Sequence, residues 1–307
     1  MKLGFVSAIL PDLSLDAVLQ FASKESFSCV ELMCWPVGEA DRRYAGVTHI
    51  DVARLSEAQA EEIQSQVRDL GLTISGLGYY PNPLTPNPEE AQIAIDQLRR
   101  IIEAAPKLGV SVVNTFVGRD PARSIDENWP RFLEVWRPLI KLAEEHQVKI
   151  AIENCPMYFT GDEWPSGKNL AFCPAVWRRM FDEIASDSFG LNYDPSHFVW
   201  QFIEEEPALR EFADKLFHIH AKDAKVSQNG LNDVGILGTP LQYHTPKLPG
   251  LGDVNWSRFF SLLSELNYTG PVCIEVEDRP YERDLCSRKG ALRQSHRFLK
   301  QFSTPEL

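Results

Sequence analysis

No apolar stretch in this sequence approaches the roughly 18 residues that a membrane span needs. The opening MKLGFVSAIL is interrupted too soon, by Pro11 and Asp12, to serve as a signal peptide. A cytoplasmic location with no membrane partner is therefore expected. None of the six cysteines (Cys29, Cys34, Cys155, Cys173, Cys273, Cys286) forms a CxxC pair, and Cys29 and Cys273 lie inside apolar runs. They read as free thiols in a reducing compartment. Basic residues are in the minority, with 31 Lys and Arg against 43 Asp and Glu and a formal net charge of −12. Phosphate binding relies on clustered Lys and Arg, so a nucleic-acid partner is disfavoured. No GxGxxG follows the first apolar run, where Ser7-Ala8-Ile9-Leu10-Pro11 stands instead, and no low-complexity tail or linker interrupts the chain.

What is present is a strict alternation. Short β-rich runs occur at Leu3–Val6, Cys29–Met33, Thr73–Leu77, Val112–Val117, Lys149–Glu153, Phe189–Tyr193, Leu216–His220 and Val272–Val276. Several are continuously apolar, as parallel strands buried on both faces should be. Amphipathic helical stretches lie between them at Leu15–Lys24, Ser56–Asp69, Pro88–Leu108, Trp129–His146, Pro174–Ser186, Pro207–Asp214, Trp256–Asn267 and Arg288–Gln301. Gly71 and Gly109 stand just past two of these, where a left-handed helix terminus is wanted. Eight strand–helix pairs predict an α/β fold, a single (β/α)8 TIM barrel over residues 1–307, since such barrels run about 200 to over 400 residues as one domain. The two long segments, 34–55 and 221–255, both follow the carboxyl end of a strand, where barrels place their sites. The Gly- and Pro-rich second one predicts a structured cover over the mouth.

The ends of the last four strand runs carry the chemistry. The fifth ends in Glu153-Asn154, the sixth in Asp194 with His197 close behind. The seventh carries His218, His220, Lys222 and Asp223, and the eighth Glu275 and Glu277. Alternation puts His218 and His220 on one face, and Glu275 and Glu277 on one face, so it does not choose within either pair. Position does, because only the topmost inward layer of a barrel meets ligand. Glu153, Asp194, His220 and Glu275 thus become a candidate set for one divalent ion (Mn, Mg, Co, Zn or Fe(II)), which would offset the cost of burying several carboxylates together.

In order, IEN, NYDPSHF, HIHAKD, PG-x-GDVNW and IEVED resemble the xylose-isomerase-like TIM barrel superfamily of sugar isomerases and epimerases, the AP-endonuclease-2-like family. The resemblance implies a metal-dependent isomerase or epimerase acting on a keto-sugar or related carbohydrate through an enediolate. It makes Glu153 and Glu275 both metal ligands and proton-transfer residues, completes the metal set with Asp194 and His220, and assigns His197 to substrate oxygens. A small-molecule sugar is then the partner, and a homo-oligomer is common among such barrels. Further substrate-binding candidates are Lys222, whose competing role is an ion pair with Asp223, Trp35 as a stacking platform, and Tyr243 with His244 in the long seventh loop.

Three rivals are weighed against this. A trinuclear DNA-repair nuclease of the same superfamily would need histidines at the ends of strands three and four, which read Leu77-Gly78-Tyr79-Tyr80 and Phe116-Val117-Gly118-Arg119. A lyase or dehydratase on a keto-sugar, inosose or 3-keto-glycoside would use the same proton abstraction, and no motif separates it from an epimerase. A barrel that holds metal without catalysis would not need two carboxylates flanking an open position.

Overall fold

The protein is described by a computed structural model over residues 1–38, 46–158 and 160–303. Strands β1 (Lys2–Val6), β2 (Cys29–Met33), β3 (Thr73–Gly78), β4 (Val112–Thr115), β5 (Lys149–Glu153), β6 (Phe189–Tyr193) and β7 (Leu216–Ala221) pair in parallel in chain order. Two short strands, β8 (Asp223–Val226) and β9 (His244–Lys247), form a separate antiparallel hairpin in the seventh loop. β10 (Pro271–Ile274) pairs with both β7 and β1 and closes the ring, giving the expected (β/α)8 barrel.

The helices are α1 (Leu15–Lys24), α2 (Glu57–Asp69), α3 (Pro88–Ala104), α4 (Ile125–Glu145), α5 (Pro174–Glu183), α6 (Ser196–Gln201), α7 (Glu205–Glu211), α8 (Gln228–Val234), α9 (Trp256–Glu265) and α10 (Leu285–Lys300). None among the described residues is long and apolar enough to cross a membrane. α4 begins earlier than the apolar pattern suggested, because Ser124 and Glu127 form a reciprocal capping box ahead of Pro130. The stretch expected as one helix from Pro207 to Asp214 is instead the end of α7 followed by a 3-10 turn, with Pro207 tolerated in the first helical turn. Gly71 and Gly109 each have φ +68°, the left-handed conformation foreseen for them.

Parity along the strands sorts core from site. Val30, Leu32, Ile150, Ile152, Leu191, Tyr193, Ile219, Val272 and Ile274 all join the large cluster shared with the helices. The alternate residues therefore point toward the barrel axis: Glu31 on β2, Glu153 on β5, Asn192 on β6, His218 and His220 on β7, with Asp194, Lys222 and Glu275 just beyond their strands. Two register shifts adjust this frame. Between β2 and β3 the pairing steps from Val30↔Ile74 to Glu31↔Gly76, leaving Ser75 extra. Between β6 and β7 it steps from Leu191↔Leu216 to Asn192↔His218, leaving Phe217 extra. Such bulges re-aim side chains, and both lie directly below the site.

Candidate active site and metal centre

At the carboxyl ends of β5, β7 and β10, one ligand atom from each of Glu153, His220 and Glu275 lies within 4.8 Å of the others. The His220 ring is fully buried. Its Nδ1 makes no hydrogen bond and stands 3.7 Å from Glu153 Oε2 and 3.6 Å from Glu275 Oε2. A buried nitrogen without a partner, aimed between two carboxylates, is the donor arrangement a divalent cation fits. Asp194 reaches this triad through Lys222. Its Oδ2 makes no hydrogen bond and lies 3.0 Å from Lys222 Nζ and 3.2 Å from His197 Nε2.

Lys222 does not pair with Asp223. Its ammonium lies among carboxylates, 2.6 Å from Glu275, 3.0 Å from Asp194 and Glu277, and 3.9 Å from Glu153. Asp223 turns the other way, accepting hydrogen bonds from the backbone of Ala224, Gly250 and Val254 and from the Trp256 indole, and so knots the seventh loop. Burial would lower Lys222, but Asp194, Glu275, Glu277 and Glu153 hold it well above the ordinary lysine value. Burial pushes Glu153 up, yet the neighbouring His197 and His220 imidazoles and the Lys222 charge outweigh it and hold the carboxyl below the usual range. Glu275 ends on the other side. Burial raises it, Lys222 opposes, and the negative charge of Glu153 adds to the rise.

The model of the xylose isomerase-like TIM barrel family matches residues 19–302. The chain belongs to this family. Protein YfiH of Bacillus subtilis strain 168, itself uncharacterized, is 26% identical over 91% of this chain and 93% of its own length. An inosose dehydratase of Glaesserella parasuis serovar 5 is 25% identical over 53% of this chain and 54% of its own. The crystal structure of a D-psicose 3-epimerase from Clostridium cellulolyticum H10 with D-tagatose superposes with a TM-score of 0.70 over 98% of this chain and 99% of that one, at 16% identity, a likeness of fold.

Within this xylose isomerase-like barrel, the other candidate residues fall into two groups. Trp35 lines the cavity beside the carboxylates, packed edge-on against Tyr79. In the cavity Val6, Ala8, Ile9, Met33 and Phe116 form an apolar wall facing Glu153, Lys222, Glu275 and Glu277. His197 reaches Glu153 Oε1 at 3.3 Å and keeps its Nδ1 unpaired. His244 stacks on Trp200, donates Nδ1–H to the Pro240 carbonyl at 2.6 Å, and is lowered to about 4 chiefly by burial, so its ring is neutral. Tyr243 is buried against Ala224 and Trp200, its hydroxyl 3.5 Å from the Trp200 carbonyl, and it does not line the cavity.

Sequence reading passed over Glu31. It is fully buried, with Oε2 2.8 Å from His220 Nε2 and Oε1 2.5 Å from the Tyr80 hydroxyl. The signal was an acid in the middle of the apolar run CVELM, where an unpartnered carboxylate would be costly. Its partners come from strands three and seven and carry no spacing relation to it.

Proposed function

We propose that the chain is a metal-dependent sugar isomerase or epimerase acting on a keto-sugar or related carbohydrate through an enediolate. The observation that carries this reading is the pair Glu153 and Glu275 on either side of the unpartnered Nδ1 of His220. Glu153, His220, Glu275 and, beside Lys222, Asp194 would hold one divalent ion, with Mn, Mg, Co, Zn and Fe(II) all suited to such a set. When bound, the ion supplies Lewis acidity to the substrate's carbonyl and hydroxyl oxygens, which acidifies the adjoining C–H.

The protein's own residues do the rest. Glu153 takes the proton from one face of the carbon, and Glu275 returns one from the other. Lys222 neutralises negative charge growing on the substrate oxygens. His197 offers its free Nδ1 to a sugar hydroxyl while bracing Glu153. Trp35 and the apolar wall receive the C–H face of the ring and exclude water.

The kinship with an inosose dehydratase favours a second reading, in which the same abstraction is followed by loss of a β-hydroxyl from a keto-sugar, inosose or 3-keto-glycoside. Incubation of the metal-loaded protein with keto-sugars and inososes in D2O, followed by NMR, distinguishes the two. Deuterium at the α-carbon with recovery of an epimer is isomerase chemistry, and an unsaturated product is elimination. Glu153→Gln and Glu275→Gln are expected to abolish exchange, and normal exchange in both would overturn their assignment.

A further inference from the structure

Below the proposed cation position lies a layer of buried polar groups that the reaction above leaves unused. Both oxygens of Glu31 are occupied, Oε1 by the Tyr80 hydroxyl at 2.5 Å and Oε2 by His220 Nε2 at 2.8 Å. An unprotonated Nε2 would set its lone pair against a carboxylate oxygen at that distance, so in the neutral ring the proton resides on Nε2. The Asn192 amide nitrogen and the Tyr80 hydroxyl also lie 3.0 Å and 3.1 Å from Nε2. But Tyr80 gives its proton to Glu31 Oε1, Asn192 donates to the Tyr80 hydroxyl at 3.2 Å, and the nearer, charged Glu31 Oε2 is the acceptor that decides the Nε2 proton. Its carbonyl is engaged by His218 Nδ1 at 2.9 Å. The remaining lone pair of His220 is then on Nδ1, the atom that faces Glu153 and Glu275.

The fold reserves the space for this carboxylate. The register step on β3 puts Gly76 opposite Glu31 and Gly78 opposite Met33. A Cβ on Gly78 would stand 2.5 Å from Glu31 Oε1 and 2.9 Å from Met33 Sδ, so a side chain there would displace the carboxylate. Glu31 does not itself line the cavity; it touches His220 and Tyr80, and of these Tyr80 lines it.

We infer that Glu31 is a positioning residue that fixes His220 as its Nε2–H tautomer and holds the ring with Nδ1 turned to the cation site. This rests on the reading of Glu153, His220 and Glu275 as that site. Outer carboxylates of this kind typically change metal affinity about 10–100-fold when lost.

Two measurements test it: 15N NMR of the His220 imidazole in the metal-free protein, and Zn²⁺ affinity by competition with a chromophoric chelator. The spectra are taken at a pH high enough to make the ring neutral, because Glu31, Glu275 and Glu153 outweigh burial and raise it well above the ordinary histidine value. The wild type is expected to show Nε2–H. Glu31→Met, which removes the acceptor, is expected to populate Nδ1–H and weaken Zn²⁺ binding about 10–100-fold. Glu31→Gln, whose amide oxygen still accepts from Nε2–H, restores the tautomer and most of the affinity. A purely structural role would alter stability without moving the tautomer. Nδ1–H in the wild type, or an unchanged tautomer and affinity in Glu31→Met, overturns the inference. The wild-type spectrum decides the point even where Glu31→Met does not fold. A wild type that shows Nε2–H yet binds no Zn²⁺ refutes the cation site and leaves the hold of Glu31 on the ring standing.

Discussion

Replacing Lys222 with methionine removes the ammonium from among Glu153, Asp194, Glu275 and Glu277 while preserving most of the side chain's volume. Three of those carboxylates lie within 3.0 Å of it, and Lys222 is only 3% exposed. At an effective permittivity near 20, each contact at about 3 Å is worth roughly 5 kcal/mol before desolvation, and desolvation of the ions offsets most of the total. Deleting one partner of a buried pair strands the others, at a net cost of about 3–5 kcal/mol. The partial exposure of Glu275 and Glu277 lets them relax toward water and favours the lower end. In a chelator, Lys222→Met should therefore melt several degrees below wild type, at roughly 2 °C per kcal/mol for a chain of this size. At one fixed Zn²⁺ concentration, 100 times the variant's Kd, binding should return about 2.7 kcal/mol to the variant and less to wild type, because in the variant a divalent ion supplies the missing charge and binds more tightly. Scanning calorimetry with and without chelator reads both numbers, and the metal-induced rise should be larger in the variant than in wild type. Equal melting in chelator, or an equal metal-induced rise in both proteins, would refute the reasoning.

Two further outcomes follow from groups outside the proton-transfer machinery. Asp223→Ala strips the acceptor from three backbone amides and the Trp256 indole, so it should cost about 3–5 kcal/mol and raise amide exchange between residues 244 and 256; unchanged protection there would show that another contact holds the loop. Glu205 is raised from 4.5 to about 7, by burial first and by Glu206 second, against the opposing charge of Arg258. Its contribution to stability is full below pH 4.5 and is lost as pH rises through 7, because the folded state then surrenders a proton that it binds more tightly than the unfolded chain does. Glu205→Gln should consequently gain up to about 3 kcal/mol on wild type at pH 8 and nothing at pH 4, whereas parallel pH profiles of denaturant midpoints would contradict it.

The barrel was legible in the sequence because its signals are local. Lys149–Glu153, Phe189–Tyr193 and Leu15–Lys24 fall where composition put them, and Gly71 and Gly109 adopt the predicted conformation. The rim residues Glu153, Asp194, His220 and Glu275 were readable from position at strand ends. Misjudged boundaries have particular causes: Val117 and Val276 are apolar but lie past the last ladder pairing of their strands, and Pro130 hid the true start of α4. Contacts that depend on register were out of reach. Nothing in HIHAKD says that Lys222 turns to Asp194 and away from Asp223, or that a carboxylate 189 positions upstream meets His220.

The ring is sealed by the pairing of its first strand with its last, Lys2 opposite Pro271 through Phe5 opposite Ile274. Glu275 is the residue that follows. During synthesis β1 and β7 must wait with open edges until residues 271–274 emerge, and the same few residues that cover those edges bring the final carboxylate to the rim. A chain that stops short of β10 therefore has both an unsealed sheet and a rim without Glu275.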